Sequence, residues 1–225
     1  MAPTCSDILP PKEEQHHEPN PIDQDRHRLR LITFRQLKAL ALVTVFSATG
    51  MVAIEDYAFV IFSIFYIYFL SKVAFPTLTP QLELPVFNKS RLLGLYIPIS
   101  ALISLFFPIV YIFQGIYKGD KEGIKAAVPF VFLLAAQIFM EGMTFSRRFS
   151  LPVQAFVPVI YNTKRLFTII EWLKIEIRKV EEHGSEMRLH VGWGLAVANL
   201  LFWSFNLFGL LLPFYLPRVF KRYYS

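Results

Sequence analysis

The chain has 225 residues, of which 54% are apolar and only 18% charged, and its mean hydropathy is +0.43. Soluble domains carry about 25% charged residues and interleave apolar with polar positions at the period of a strand or a helix. Here the apolar residues stand in long blocks, which excludes an ordinary soluble domain. The net charge of +6 lies mostly beside these blocks. The expected partner is therefore the lipid bilayer with its anionic headgroups, and not a nucleic acid.

Residues 1–30 form a polar tail in which five prolines stand among acidic and basic residues. Such a segment buries too little apolar surface to offset its ordering entropy, so we predict a disordered tail. Its early acidic residues disfavour a plastid or mitochondrial transit peptide, which leaves an endomembrane or the plasma membrane. Residues 13–18 (EEQHHE) cluster metal-ligand types without the spacing that fixes a geometry, so a solvated tail is preferred. The single cysteine, Cys5, excludes an intrachain disulfide.

Five apolar segments are predicted to cross the membrane as helices, at residues 37–54, 57–75, 92–117, 126–146 and 191–217. A helix needs about 20 mostly apolar residues to cross a hydrocarbon core of about 30 Å. The third and fifth segments contain no charge at all. The first two are short, and the acidic pair Glu55-Asp56 separates them. They can be two spans, which is the preferred interpretation, or one re-entrant hairpin that enters and leaves on the same side.

Residues 149–163 are uncharged but only 15 long, which suits an interfacial or re-entrant segment better than a span. An amphipathic helix is predicted next, at residues 165–182, lying flat on the cytosolic face of the membrane. Its apolar stripe is Leu166, Ile170, Leu173, Ile177 and Val180. Arg165 belongs to the charged side opposite this stripe. The predicted fold is thus an all-α membrane domain over residues 31–225, with about five transmembrane helices and one interfacial amphipathic helix.

Positively charged residues orient the predicted spans, because Lys and Arg concentrate in cytosolic loops. With five spans and a cytosolic amino terminus, the cytosolic side holds 16 Lys and Arg residues from Arg26 onward, against six on the other side. This arrangement puts residues 147–188 in the cytosol, and residues 118–125 and the carboxyl end across the membrane. If residues 149–163 also span, the counts become 13 and nine, and the carboxyl end is cytosolic too.

Four polar residues in the predicted spans are candidates for an intramembrane site: Glu141, Gln137, Asn199 and Asn206. Glu141 and Gln137 are four apart and share a helix face, and an intramembrane carboxylate is a default candidate for a proton or cation site. The alternative, which we prefer for Glu141, is a helix end paired with the arginines that follow it. The two asparagines also share a face, where amides commonly join helices by hydrogen bonds.

The chain lacks the familiar enzyme and cofactor signatures. It contains no H-E-x-x-H, G-x-S-x-G, Walker or G-x-G-x-x-G motif, and no Cys/His metal pair. No catalytic residue, cofactor or metal is therefore expected. Residues 115–123 contain G-x-x-x-G twice, but in a charged loop, so they do not indicate a helix dimer.

Four stretches carry a family resemblance: 35–40 (RQLKAL), 47–51 (SATGM), 55–59 (EDYAF) and 68–76 (YFLSKVAFP). Together they resemble an uncharacterised family of land-plant multi-pass membrane proteins. The resemblance implies a plant source and a membrane location, and it implies no activity.

Three functions fit these features. The first is a non-enzymatic assembly or scaffolding component that contacts other membrane proteins, because the long spans lack deep charges. The alternative is a small transporter or channel that uses Glu141 and Gln137, and the third is a lipid-modifying enzyme. Convergence of Glu141, Gln137, Gln114 and Asn199 on one wet cavity would favour transport, whereas their dispersal would favour scaffolding.

Overall fold

The computed structural model describes residues 36–47, 50–76, 91–145, 149–183 and 187–225. Within these ranges the chain is helical and contains no β-strand, so the all-helical prediction is confirmed. The predicted disordered tail, Cys5 and the cluster at 13–18 lie outside the described residues.

Most of the described chain lies in helices that continue one another. In chain order the elements are α1 (Gln36–Ser47), α2 (Ile54–Phe69), a π-helical turn (Leu70–Ala74), α3 (Arg91–Ala101), a π-helical segment (Leu102–Phe106), α4 (Phe107–Lys118), α5 (Lys121–Thr144), α6 (Leu151–His183), α7 (Met187–Ser204), a π-helical segment (Phe205–Tyr215) and α8 (Leu216–Tyr224). Each π-helical segment continues the helix before it. As a result α3 with α4, and α7 with α8, each form one continuous rod.

Four helical stretches are long and apolar enough to cross a membrane by length and composition: Ile54–Ala74, Pro98–Lys118, Lys121–Thr144 and Arg188–Tyr224. They overlap the second to fifth predicted spans. The first predicted span, 37–54, is too long, because α1 ends at Ser47. Its 12 residues measure about 18 Å at ~1.5 Å per residue, which is less than the ~30 Å hydrocarbon core.

Helix α5 occupies the centre of the bundle and packs against α2, α4 and α6. Of its most apolar window 78% is buried inside the protein, against 17% to 28% for the other three stretches. A helix that is apolar on all sides must be covered all round. The other helices therefore surround α5 and leave apolar faces on the outside.

The segments predicted separately at 149–163 and 165–182 are one helix, α6, of 33 residues. Pro158 lies inside this helix and does not end it. At ~1.5 Å per residue α6 measures about 50 Å, which makes it long enough to run the whole length of the bundle. The prediction of two separate elements is therefore wrong.

The assignment of faces on this helix is also wrong. From Tyr161 onward, its fully buried positions are Tyr161, Asn162, Arg165, Ile169, Trp172 and Glu176. Ile170 and Ile177 of the predicted apolar stripe are 36% and 41% exposed. The physical reason is that Arg165 and Glu176 find polar partners on neighbouring helices, which lets the charged side of α6 turn inward.

One end of the bundle is formed by the α4–α5 turn, the last turns of α6 and the first turn of α7; we call it the ionic end. Asp120 in the turn lies 2.8 Å from Nζ of Lys179 in α6 and 2.9 Å from Nη2 of Arg188 in α7. These contacts contradict the prediction that residues 118–125 and 147–188 lie on opposite sides. The reason is that α6 crosses the bundle and brings its last turns back to the α4–α5 turn.

The opposite end, which we call the far end, gathers both termini of the described chain. The Ser150 hydroxyl donates to the Phe75 carbonyl at 2.8 Å, and the Tyr223 hydroxyl donates to the Pro76 carbonyl at 2.9 Å. Gln36, which begins α1, lies against Gly142 near the end of α5. The predicted placement of the carboxyl end across from the amino end is therefore wrong.

Helices α1 and α2 form a hairpin that starts and finishes at the far end. Asp56, in the first turn of α2, pairs at 3.1 Å with Lys164, which lies part-way along α6. The hairpin therefore turns back inside the length of the bundle. The turn between the first two predicted spans thus lies level with the middle of α6, although Ile54–Ala74 is long and apolar enough to cross a membrane.

Candidate functional site

The predicted pair Gln137 and Glu141 lies in a buried cluster on α5 and α6. The Gln137 amide donates to the Glu141 carboxylate at 2.7 Å, and its carbonyl oxygen accepts from the Arg165 guanidinium. Arg165 is fully buried, and its guanidinium carbon lies 4.0 Å from the ring centroid of Trp203. The amide thus bridges a carboxylate and a guanidinium that carry opposite charges. The indole face gives the cation a further favourable contact.

Arg165 is the residue that sequence reasoning misplaced. The arginines expected to pair with Glu141 lie outside the described residues, and the cation brought to this cluster comes instead from α6. A signal was present in the chain, since Tyr161, Ile169 and Trp172 recur with Arg165 at spacings of three or four residues. Charge alone had placed Arg165 on the solvent side.

The two asparagines join helices at separate places. Asn206 accepts a 2.9 Å hydrogen bond from the Asn162 amide of α6 and donates to the Tyr96 hydroxyl of α3. Asn199 donates to the Ile103 carbonyl at 3.2 Å, across to the π-helical segment before α4. These amides link neighbouring helices, and they are not brought together with Glu141 and Gln137 in one cavity.

Asp120 is the centre of a second cluster, at the ionic end. Its carboxylate accepts hydrogen bonds from Lys179 at 2.8 and 3.0 Å and from Nε of Arg188 at 3.0 Å, and it caps α5 through the Gly123 amide at 2.9 Å. Burial by itself would raise the pKa of this carboxyl, but the bonds from Lys179, Gly123 and Arg188 outweigh burial and lower the pKa below its ordinary value.

Glu176 is fully buried beside this carboxylate. It accepts hydrogen bonds from the Tyr111 hydroxyl at 2.6 Å and from the Trp172 indole at 3.2 Å, and Nζ of Lys179 lies 3.6 Å from its other oxygen. The guanidinium of Arg188 lies 4.4 Å from the Tyr111 ring centroid. We call Tyr111, Asp120, Glu176, Lys179 and Arg188 the ionic network. Its two acids and two bases balance in charge, which buried ions require.

Glycines make room for the ionic network. A Cβ at position 192 would lie 2.6 Å from the Glu176 carboxylate, and one at position 115 would lie 2.7 Å from the Arg188 guanidinium. Gly115 therefore permits close packing within one chain, whereas a Cβ at Gly119, the second glycine of the G-x-x-x-G pattern, would have no atom within 4 Å. Sequence reasoning missed the network because its four charges come from three separate parts of the chain.

An apolar groove lies between α4 and α7, with a cavity volume of 340 Å³. It is lined by Phe107, Val110, Tyr111, Gln114, Val191, Gly194, Leu195 and Ala198. None of the four predicted site residues lines this groove. Within the described ranges, no three His, Cys, Asp or Glu side chains come together as a metal site would require.

The described polar residues thus form separate clusters that bind helices to one another. No curated protein and no solved structure matches the chain. One family model does match, over residues 32–224, and it is described as a domain of unknown function, DUF7733. This result agrees with the resemblance to an uncharacterised family, while the plant source stays a prediction. Because the match covers nearly all of the sequence after the polar tail, the chain belongs to the DUF7733 family.

Proposed function

We propose that the protein is a multi-pass integral membrane protein with a non-enzymatic role in assembly or scaffolding. Four of its helical stretches have the length and composition of membrane spans. Large apolar side chains stand exposed along α2, α4 and α7, among them Phe65, Phe113 and Leu201. Exposure of each to water would cost about 1.5 to 3 kcal/mol. A lipid environment removes that cost.

The pairing of interior polar groups with one another is the observation that carries this proposal. Glu141 is joined to Gln137, Asp120 to Lys179 and Arg188, and Asp56 to Lys164. The Asn199 NH2 group donates to two backbone carbonyls. Transport would require such groups to converge on a shared wet space. Their dispersal favours a protein that acts through its exposed surface, by binding other membrane proteins.

The proposed topology has four crossing helices and a hairpin, α1 with α2, that turns back before the ionic end. The crossing helices are α3–α4, α5, α6 and α7–α8. Helix α6 crosses in place of Ile54–Ala74, which has the length of a span but belongs to the hairpin. From Arg26 onward, the side with both termini then holds 13 Lys and Arg residues, against seven on the other side, while Lys164 and Arg165 lie within the crossing part of α6. The excess of positive charge assigns the side with the termini to the cytosol.

Extraction and protease protection test the membrane part of this proposal. We expect the full chain to stay in the pellet after alkaline carbonate treatment of native membranes. Tags at both termini should be cleaved by protease added from the cytosolic side without permeabilisation. Release of the chain by carbonate would overturn the membrane assignment, and protection of one tag would overturn the even number of crossings.

Site-specific photo-crosslinking tests the assembly role. A photo-reactive residue replaces Phe65, which is 69% exposed on α2, or Ile67, which is 2% exposed on the same helix. Position 65 should give discrete adducts with another protein, and position 67 should give adducts within the chain. Only lipid adducts at position 65, and equally at Phe113 and Leu201, would contradict a role in assembly.

Transport of a proton or small polar solute is the second candidate, and buried atoms near Arg165 favour it. Nε and Nη1 of Arg165, the Trp203 indole nitrogen and Oδ1 of Asn162 are buried without a protein hydrogen-bond partner. Water or a small polar solute can satisfy such groups. Proton flux into proteoliposomes, measured with a pH-sensitive dye, should fall in an Arg165→Met variant if transport occurs. Equal flux in variant, wild type and empty vesicles would exclude it.

A further inference from the structure

We propose that the groove between α4 and α7 binds one acyl chain of an anionic phospholipid, whose headgroup lies at the ionic end. This inference rests on the membrane location proposed above, and it adds a specific ligand to it.

The shape of the groove fits a flexible chain. Its volume of 340 Å³ is at the lower end of the range for ligand sites, about 300 to 1,000 Å³. Its lining is apolar apart from Tyr111 and Gln114, and two of its residues, Gly194 and Ala198, are small. A Cβ built on Gly194 would have no atom within 4 Å. The space beside this glycine is therefore open, unlike the space beside Gly192 two residues earlier.

The charge at one end of the groove fits a phosphate group. Arg188 donates to the Gln114 carbonyl oxygen at 3.1 Å, which leaves the Gln114 NH2 group as a donor at the groove. Exposed Lys118 stands one helical turn beyond Gln114 and adds a positive charge at this end of the groove. An anionic lipid is thus favoured over a zwitterionic one.

A second copy of this chain fits the groove less well than a lipid does. Close helix–helix approach needs a face of small residues on which the backbones can meet. In this groove Gly194 and Ala198 are accompanied by exposed Phe107, Val110 and Val191. These larger side chains hold a partner backbone away from Gly194, whereas a single acyl chain can lie between them.

Native mass spectrometry of the full chain tests this inference. The protein is delipidated in mild detergent and then mixed with phosphatidylglycerol or with phosphatidylcholine. We expect one bound phosphatidylglycerol, with occupancy at least threefold above that of phosphatidylcholine. Gly194→Phe and Ala198→Phe fill the groove and should lower this occupancy at least fivefold. Leu201→Phe places the same side chain at an exposed position of α7 outside the groove, and should leave the occupancy unchanged.

A headgroup variant keeps the test independent of folding. Lys118→Ala leaves the apolar lining intact and should lower the ratio of phosphatidylglycerol to phosphatidylcholine occupancy toward one. Thermal unfolding confirms that each variant is folded before its lipid is counted. Equal phosphatidylglycerol occupancy in wild type and both groove-filling variants would overturn the inference. A mass spectrum in which these variants lose a protein dimer but keep the bound lipid would also overturn it, because a second copy of the chain would then occupy the groove. Release of the chain by carbonate would instead overturn the proposed function, so the two failures are distinguishable.

Discussion

Tyr111 and Glu176 are 65 residues apart in the chain, yet the Tyr111 hydroxyl donates a 2.6 Å hydrogen bond to the Glu176 carboxylate. Both side chains are buried, and the bond joins α4 to α6. Hydrogen bonds to an ionised group are among the stronger ones in proteins. This contact anchors one side of the ionic network and explains how a fully buried glutamate is accommodated.

Replacement of Tyr111 by Phe should lower the free energy of unfolding by about 1 to 3 kcal/mol, because Glu176 loses a donor in a place where water does not reach it. Thermal unfolding of the purified protein in detergent measures this change. Tyr117→Phe is the matched control, since Tyr117 is 92% exposed on the same helix. Equal melting temperatures for the two variants would show that the bond adds nothing to stability.

Two glycines of α7 should respond in opposite ways to the same substitution. Gly192→Ala places a methyl group 2.6 Å from the Glu176 carboxylate, whereas Gly194→Ala places one in open space. Alanine favours a helix over glycine by about 1 kcal/mol at both positions. We therefore expect a lower melting temperature for Gly192→Ala and an equal or higher one for Gly194→Ala. Similar shifts for both variants would argue against close packing at Gly192.

Asp120→Asn removes the carboxylate charge and keeps a side chain that caps α5 well. Lys179 and Arg188 then lose their shared partner, and loss of one member of a buried ion pair costs about 3 to 5 kcal/mol. We expect a stability loss near the lower figure, because Asp120 keeps 17% of its side-chain surface exposed. Lys174→Ala is the control, since its pair with Glu171 is about two-thirds exposed and should contribute little.

The pH dependence of stability provides a separate test of Asp120. Its folded-state pKa is lowered, so its stabilising contribution is complete above the unfolded value of about 3.9. The contribution is lost as the pH falls through the folded pKa. The melting temperature of the wild type should therefore drop more steeply below about pH 4 than that of Asp120→Asn. Parallel curves would show that this carboxylate is not the group that titrates.

Two substitutions of Arg165 separate the effect of its positive charge from the effect of its planar shape. Arg165→Lys keeps a cation but loses the planar group that lies over Trp203 and donates to Gln137. Arg165→Met keeps a similar length but removes the buried charge that Gln137 bridges to Glu141. Loss of one member of a buried ion pair costs about 3 to 5 kcal/mol. We therefore expect both variants to unfold at a lower temperature than the wild type, and the methionine variant at the lower temperature of the two. The reverse order would show that the planar guanidinium, and not its charge, stabilises the cluster around Glu141.

Apolar blocks were enough to predict helices and their approximate places. A long run of apolar residues without charge must avoid water wherever it lies, so its neighbours in space need not be known. The central stretch, α5, and the long rod ending in α8 follow directly from such runs. The polar candidates were found in the same way, as exceptions within apolar sequence. What they contact could not be predicted, since Gln137 meets Arg165 across 28 residues and Asn206 meets Tyr96 across 110.

The sequence by itself determined that this chain is helical, apolar and without a familiar enzyme motif. Tertiary structure decided the course of α6 and the depth of the α1–α2 hairpin. The reason is that the sign of a charge does not reveal whether it is solvated or paired. Arg165, Glu176 and Lys179 look like a solvated helix face when read alone, and they become an interior face once Gln137, Tyr111 and Asp120 are brought within hydrogen-bonding distance. Those contacts exist only after the helices have packed.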